Sequence, residues 1–566
     1  MPFFWLMLGV AFLPQTAAAK PPEPRLDVRA ERGIGGVQTE GWQHISLRME
    51  NSTGQPITGQ ATLYEFESQV GARPRAVLPF TVSDRHVLHF YPFRPPETAQ
   101  PSTYLITIED DSGRSILFDG ASQFVIGGQS TRALRVEMGG APSGDFRVGL
   151  WGETNTFLRT LINEWQPTLD EIYRMSQGRL AARQFMTRGG LNQMSPEVVP
   201  LEQPKLLPDS FVGYGELDAL FVLGVDPDTV TERQRRALSD WVHGGGLLVF
   251  VPSKKDHLTS SFMRELVGIK DRGEVTTSDD RHLLVKQDSG PSHQIIHFLT
   301  QVDPPRAMEV TASHEGEPVV YSVPAGFGRV WIVGFDPEAH GGVRRFQPLW
   351  LSILNQTLKY RVVDGPAPTS LGTRYWSMES DDVWLKRLSD RFGKSPAVDN
   401  LAVLILCYLL IVGPANFFVL KRREARVLLI ATVPVLAIVF GGAVLAMGYV
   451  SHGLRAATNQ IGMAVVTPDG DRAFAEEYVG VYGTTSAEYR LGFPKNLPLR
   501  PLAEYVPSPS GTGFENPSSF KLAAREERSW LEDWRLTFWQ TRGTASIDCV
   551  SLGSGANSRP RETEQN

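Results

Sequence analysis

At 566 residues, with 42% hydrophobic and 21% charged side chains, the chain has material for several cored domains. A net charge of −6, with no basic stripe outside one short connector, weighs against nucleic acid as a partner. Only two cysteines occur, Cys407 and Cys549, which excludes a cysteine metal cluster and a disulfide framework.

The first 19 residues read as a secretory signal, with an apolar core at 3–13 followed by Pro14 and the small-residue site Ala17-Ala18-Ala19. From 20 to 140 the text is strand-like. HISLRMEN (44–51) alternates apolar and polar, Ser52-Thr53-Gly54-Gln55-Pro56 turns, and GQATLYEF (59–66) alternates again. VLHFYPF (87–93) and TYLITIED (103–110) continue the rhythm, which predicts an antiparallel β-sandwich of immunoglobulin-like architecture.

The rhythm changes over 141–365. FRVGLWG (146–152) and LDALFVLG (217–224) are compact apolar runs, the pattern of parallel strands buried on both faces. Thr231 and Gln234 have capping-box spacing ahead of a stripe of Ala237, Leu238, Trp241 and Val242, and LLVFV (247–251) follows Gly244-Gly245-Gly246. That is a βαβ unit of an α/β domain. Asp226, Ser253, Asp336 and Glu338 each follow one of its strands, and open α/β sheets bind ligands beyond the carboxyl ends of their strands. The four residues are therefore the candidate ligand contacts. Against this, Asp226-Pro227-Asp228 and Asp336-Pro337-Glu338 also suit turns and helix starts, because Asp caps and Pro occupies the first helical position.

A linker and an amphipathic helix occupy 366–400. In SDDVWLKRLSDRF (380–392), Trp384, Leu388 and Phe392 recur every four residues, so the helix is expected to lie in a membrane interface, with docking on the α/β domain as the alternative. Two uncharged apolar runs follow, 401–420 and 427–450, each long enough as a helix to cross about 30 Å of hydrocarbon. Between them, at 421–426, lie Lys421, Arg422, Arg423 and Arg426. Short basic loops stay cytoplasmic, so these four set the topology and place both flanks on the outer face. A second β domain is expected over 451–550, with a turn at Pro468-Asp469-Gly470, and a disordered tail over 551–566.

The arrangement LDALFVLG, helix, GGGLLVFV and GFGRVWIVGFDPE resembles the class I glutamine amidotransferase-like fold. With CYLLIVGPANFFVLKRR it is similar to membrane-anchored versions found in bacterial envelopes, over about 141–450. The catalytic members carry a cysteine on a turn after a central strand and a late His-Pro-Glu run. Here the late run is Gly334-Phe335-Asp336-Pro337-Glu338, so Glu338 matches and Asp336 stands where the base belongs. No cysteine lies between 20 and 400, which removes the thiol mechanism. Ser253, between Pro252 and Lys254, lacks the flanks of a nucleophile elbow.

The expected fold is a multidomain α+β membrane protein: β-sandwich, flavodoxin- or Rossmann-like amidotransferase-like domain, two transmembrane helices and a C-terminal β domain. The expected function is that of a non-catalytic scaffold or sensor on the bacterial inner membrane, with its domains on the periplasmic face. Its expected partners are the lipid bilayer and envelope proteins or further copies of itself, with no cofactor and no metal. A hydrolase with a non-cysteine site in the α/β domain is the alternative.

Overall fold

The computed structural model describes the chain from 26 to 552 with interruptions, the longest at 166–195, 272–280, 361–377 and 503–520. The expected signal at 1–19, the linker up to 377, Asp336, Glu338, Arg426 and the tail from 553 lie outside the described residues. What is described is a mixed α/β protein with several sheets and two long apolar helices.

In the N-terminal segment, Ile45–Asn51 pairs antiparallel with Leu26–Arg32 on one side and Arg85–Phe90 on the other. Period-two alternation turns Ile45, Leu47 and Met49 inward, where they meet Ala61, Leu63, Ile106 and Ile108 of a facing sheet. Two sheets around one apolar layer make a sandwich.

The central unit is built on a nine-stranded sheet. Five of its strands run parallel, in the spatial order Pro196–Leu201, Phe146–Gly152, Ala219–Leu223, Leu247–Val251 and Gly328–Val333. Beyond them Glu317–Ala325 turns the sheet antiparallel, because only two residues, Gly326 and Phe327, join it to Gly328–Val333. A Cβ at Gly326 would lie 2.6 Å from the His243 carbonyl oxygen, so this turn takes glycine, at φ 58°. Gln347–Lys359 and Thr156–Glu164 cover one face of the sheet, and Glu232–His243 covers the other. The last helix starts on a capping box: Gln234 N–H donates to Thr231 Oγ1 (3.3 Å), and Thr231 N–H donates to Gln234 Oε1 (3.1 Å).

The segment after the apolar helices does not form a separate domain. Lys521–Ala524 adds in parallel to the sandwich strand Gly71–Val82, with Leu522 opposite Ala76 and Ala523 opposite Val77. Arg528–Leu536 and Ala487–Pro494 extend that sheet to eight strands. A four-stranded sheet, ordered Ala457–Val466, Arg472–Gly483, Gln540–Ser551 and Leu499–Pro501, packs against the central unit. Phe474 meets Phe211 edge-on at 6.0 Å, and Arg472 pairs with Asp240. The strand-like text of 451–550 marked a β segment, but pairing between distant strands leaves no local signature.

Met378–Ser389 departs from its expected place in a membrane interface and packs on the four-stranded sheet. Trp384 stacks on Tyr478 with centroids 4.4 Å apart, Leu388 is fully buried, and Asn459 Nδ2 donates to the Leu388 carbonyl at 2.9 Å. Asp381 takes both Nη groups of Arg500, at 2.8 and 2.9 Å. The apolar stripe read from the sequence is present, but a sheet covers it.

The two apolar helices, Ala402–Arg422 and Ile430–Met447, meet the length and composition needed to cross a membrane, and the chain covers almost none of their surface. They touch through Tyr408 against Phe440 (5.1 Å) and through Asn416 Nδ2 donating to Thr432 Oγ1 at 2.9 Å. Pro414 sits in a π-helical turn, Ile411–Ala415, which absorbs the amide hydrogen bond that proline cannot make.

Candidate functional site

The strand-end crevice of the central sheet was the site expected from sequence. Its described members are committed to structure. Asp226 caps the short 3-10 helix Pro227–Thr229, accepting from Asp228 N–H at 2.9 Å. Asp228 holds the start of Ser261–Val267, accepting from Ser261 N–H (2.8 Å), Ser261 Oγ (2.8 Å) and Phe262 N–H (3.2 Å). Burial opposes ionisation of Asp228, but the hydrogen bonds from Ser261 and Phe262 outweigh it and hold its pKa below the usual carboxylate range. Ser253 Oγ donates to the Gly224 carbonyl at 3.2 Å, tying two strand ends together. Asp336 and Glu338 belong to the residues not described, so this crevice is read from Asp226, Asp228 and Ser253 alone. Among the described residues no three His, Cys, Asp or Glu side chains group as metal ligands.

A second site lies where three segments meet. The consecutive strands Gly71–Val82 and Arg85–Phe90 belong to different sheets of the sandwich, and a cavity of about 350 Å³ opens beside them. That volume falls within the ~300–1,000 Å³ range of small-molecule pockets. Leu63, Leu78 and Leu88 line it from the sandwich, and Leu499 and Leu522 from the C-terminal segment. Its polar lining includes His86, His89 and Tyr91 of the sandwich with Asp209 and Arg233 of the central unit.

These polar groups form an ordered chain. His44, fully buried, shares a 2.9 Å hydrogen bond between its Nε2 and Nδ1 of His89, and stacks on both His89 (5.1 Å) and Tyr91 (5.4 Å). Tyr91 Oη donates to Asp209 Oδ1 at 2.6 Å and accepts from the backbone amides of Asp209 (2.9 Å) and Ser210 (3.1 Å). One donor and two lone pairs are then all used. The tyrosine fastens the sandwich to the central unit. Burial, reinforced by the Asp209 charge, raises its pKa well above the usual phenol value. Burial lowers the pKa of His44, His86 and His89; at His44 the neighbouring His89 adds to the effect, and at His89 the Asp209 charge opposes it. Burial therefore favours the uncharged form of all three imidazoles.

None of these residues was a sequence-derived candidate. The available signal was a concentration of polar aromatic side chains: two of the eleven histidines, His86 and His89, sit with Tyr91 in the short run RHVLHFYPF.

No family model matches the chain, and no curated protein matches it. Solved structures with partial likeness include an exo-β-1,4-mannosidase from Opitutaceae bacterium strain TAV5, at 19% identity and TM-score 0.23 over 37% of this chain and 36% of that one. A cytoplasmic protein from Salmonella typhimurium aligns at 9% identity and TM-score 0.27, over 38% of this chain and 98% of that one. A CARDB domain from Pyrococcus furiosus aligns at 11% identity and TM-score 0.15, over 21% of this chain and 93% of that one. The chain thus spans about a third of the mannosidase's length, and likeness at these TM-scores carries no argument about fold or activity.

Proposed function

We propose that this chain is a non-catalytic, membrane-anchored binding protein of the bacterial envelope, a scaffold or sensor held by a helical hairpin with its folded body on the outer, periplasmic face of the inner membrane. One observation carries the reading. Strands from before and after the two apolar helices share a sheet, with Leu522 opposite Ala76. The two flanks therefore lie on one side of any bilayer that the helices cross, as a hairpin requires. Lys421, Arg422 and Arg423, all exposed at the turn between the helices, favour the cytoplasm for that turn. The central unit is read as an amidotransferase-like domain without catalysis. Its parallel strands support the first part. For the second, the thiol inventory outside the apolar helices is Cys549 alone, which is buried, and burial pushes its pKa up to about 11. The described crevice residues serve as caps and ties.

The test is thiol labelling of intact cells with a membrane-impermeant maleimide, in a Cys407→Ser background. Cys549 is too buried to report, so exposed positions are used. Ser52→Cys and Thr485→Cys, one from each flank, should label from outside, and Glu424→Cys should label only after lysis. Labelling of Glu424→Cys alone in intact cells would reverse the orientation. Labelling of only one flank would remove the hairpin.

A further inference from the structure

The cavity at the three-way junction has a lining that specifies its occupant. Its fixed charges are balanced in number: Arg75 Nε donates to Glu65 at 2.7 Å, and the lining carries Arg233, of opposite charge, alongside Asp209. The imidazoles favour their uncharged form. A charged head would be desolvated there without a net counter-charge, which is costly.

Hydrogen bonding narrows the choice further. Nδ1 of His44 is buried with no hydrogen-bond partner among the described residues. Buried N–H groups are seldom left orphaned, so Nδ1 is the bare nitrogen and the proton sits on Nε2. His44 then donates to Nδ1 of His89, and the His89 proton is on Nε2. His89 lines the cavity and offers that N–H to an occupant. Asp209 lies near enough for its charge to act on His89. Its Oδ1 receives Tyr91, and its Oδ2 receives no hydrogen bond from the described residues. At His89 and Asp209 the lining thus presents one donor and one acceptor. A hydroxyl satisfies both, accepting from His89 and donating to Asp209. A carboxylate would face Asp209 with like charge, and an ammonium would point a donor at the His89 donor.

We propose that the cavity binds one uncharged amphipathic molecule, an apolar body bearing a hydroxyl head seated between His89 Nε2 and the Asp209 carboxylate. The inference rests on the reading of the folded body as a binder and gives that binder a ligand class. Its closing strand comes from beyond the membrane hairpin, so an occupied cavity would also brace the junction of all three segments.

The probes are 1-octanol and octanoate, alike in chain and different in head, titrated calorimetrically into the full chain in phosphatidylcholine nanodiscs, with empty nanodiscs subtracted. Octanol should bind saturably at one equivalent, and octanoate at pH 8 at least about tenfold more weakly. Ala76→Phe and Ala524→Phe fill the cavity from opposite segments, and each should weaken octanol by at least about tenfold with its melting curve preserved. His89→Phe keeps the ring and removes the donor, and should weaken octanol by about tenfold, equivalent to about 1.4 kcal/mol. Should one filler fail to fold, the other filler and His89→Phe decide. Absence of saturable octanol binding, octanoate binding as tight as octanol, or folded fillers that bind normally would each overturn the assignment. Thiol labelling tests the membrane reading separately, so failure of either is distinguishable from failure of the other.

Discussion

Leu522 stands opposite Ala76 in a parallel pairing, although both apolar helices lie between them in the sequence. Paired strands lie about 4.8 Å apart, within the roughly 4.4–6.8 Å Cα separation that a disulfide spans. Ala76→Cys with Leu522→Cys, in a chain lacking Cys407 and Cys549, should therefore form a disulfide. In an oxidising outer compartment it should form in cells without added oxidant. Mass spectrometry of peptides from thiol-blocked cells gives the yield. A reduced pair that also resists added oxidant in the purified chain would contradict the shared sheet; one that oxidises only after purification would contradict the compartment.

The pair of Asp381 and Arg500 joins Met378–Ser389, the helix that precedes the two apolar helices, with the four-stranded sheet, and both side chains are buried. The guanidinium also lies 5.0 Å over the Phe93 ring of the sandwich. Removing one partner of a buried pair costs about 3–5 kcal/mol, because the remaining charge stays desolvated. Asp381→Ala should lower the urea midpoint accordingly. Asp381→Leu with Arg500→Met should recover most of the loss, since apolar replacement of both partners is often neutral. Equal loss in the single and double variants would mean that packing, not charge, holds the helix.

Local chemistry was readable from the sequence where neighbours in the chain supply both halves of an interaction. Thr231 and Gln234 mark their helix start because the capping partners are three residues apart. Ala219–Leu223 and Leu247–Val251 announce burial on both faces by carrying no polar residue. The stripe of Trp384 and Leu388 was equally plain, but a bilayer interface and a sheet demand the same stripe. Only Arg500 and Tyr478, far along the chain, decide for the sheet. The junction cavity was least readable. His89, Asp209 and Leu499 come from three separate segments, so no spacing connects them. In the crevice, Asp226 followed the turn-and-cap reading offered beside the ligand reading.

Asp228 provides the direct test of that crevice. Its carboxylate accepts three hydrogen bonds from the start of Ser261–Val267, and Arg235 approaches at 3.2 Å. Asp228→Ala should cost about 0.5–2 kcal/mol, the range of a lost cap. Asp226→Asn should be nearly silent, because asparagine caps as well as aspartate. Both would be read from urea midpoints at pH 7. The lowered pKa of Asp228 means that its contribution is present above the ordinary carboxylate range and is lost as pH falls through the folded value. The wild type should therefore lose more stability than Asp228→Ala on acidification, and parallel pH profiles would remove this role.

Glu476 supplies the opposite sign. It is buried on Arg472–Gly483, and burial raises its pKa to about 7, against smaller lowering effects of a hydrogen bond with Tyr478 and the Arg500 charge. In the unfolded chain a glutamate titrates near 4.3. Between these values the folded state holds a proton that the unfolded state has released, so stability falls as pH rises. The slope approaches 1.4 kcal/mol per pH unit and flattens above about pH 7, where both states are ionised. Glu476→Gln keeps a neutral, hydrogen-bonding side chain of the same size and removes the titration. The variant should match the wild type near pH 4.5, show a flatter profile up to pH 7, and be more stable by about 2–3 kcal/mol at pH 8. Urea denaturation of both proteins at pH 5, 6, 7 and 8 resolves the window. Because Glu476 shares its surroundings with Arg500 and Asp381, repeating the series in Asp381→Asn should lower the apparent pKa, since the negative charge of Asp381 opposes ionisation. An unchanged midpoint in that background would leave burial as the whole cause. A wild-type profile identical to that of Glu476→Gln would mean that the carboxylate is hydrated in solution and carries no pH-dependent load.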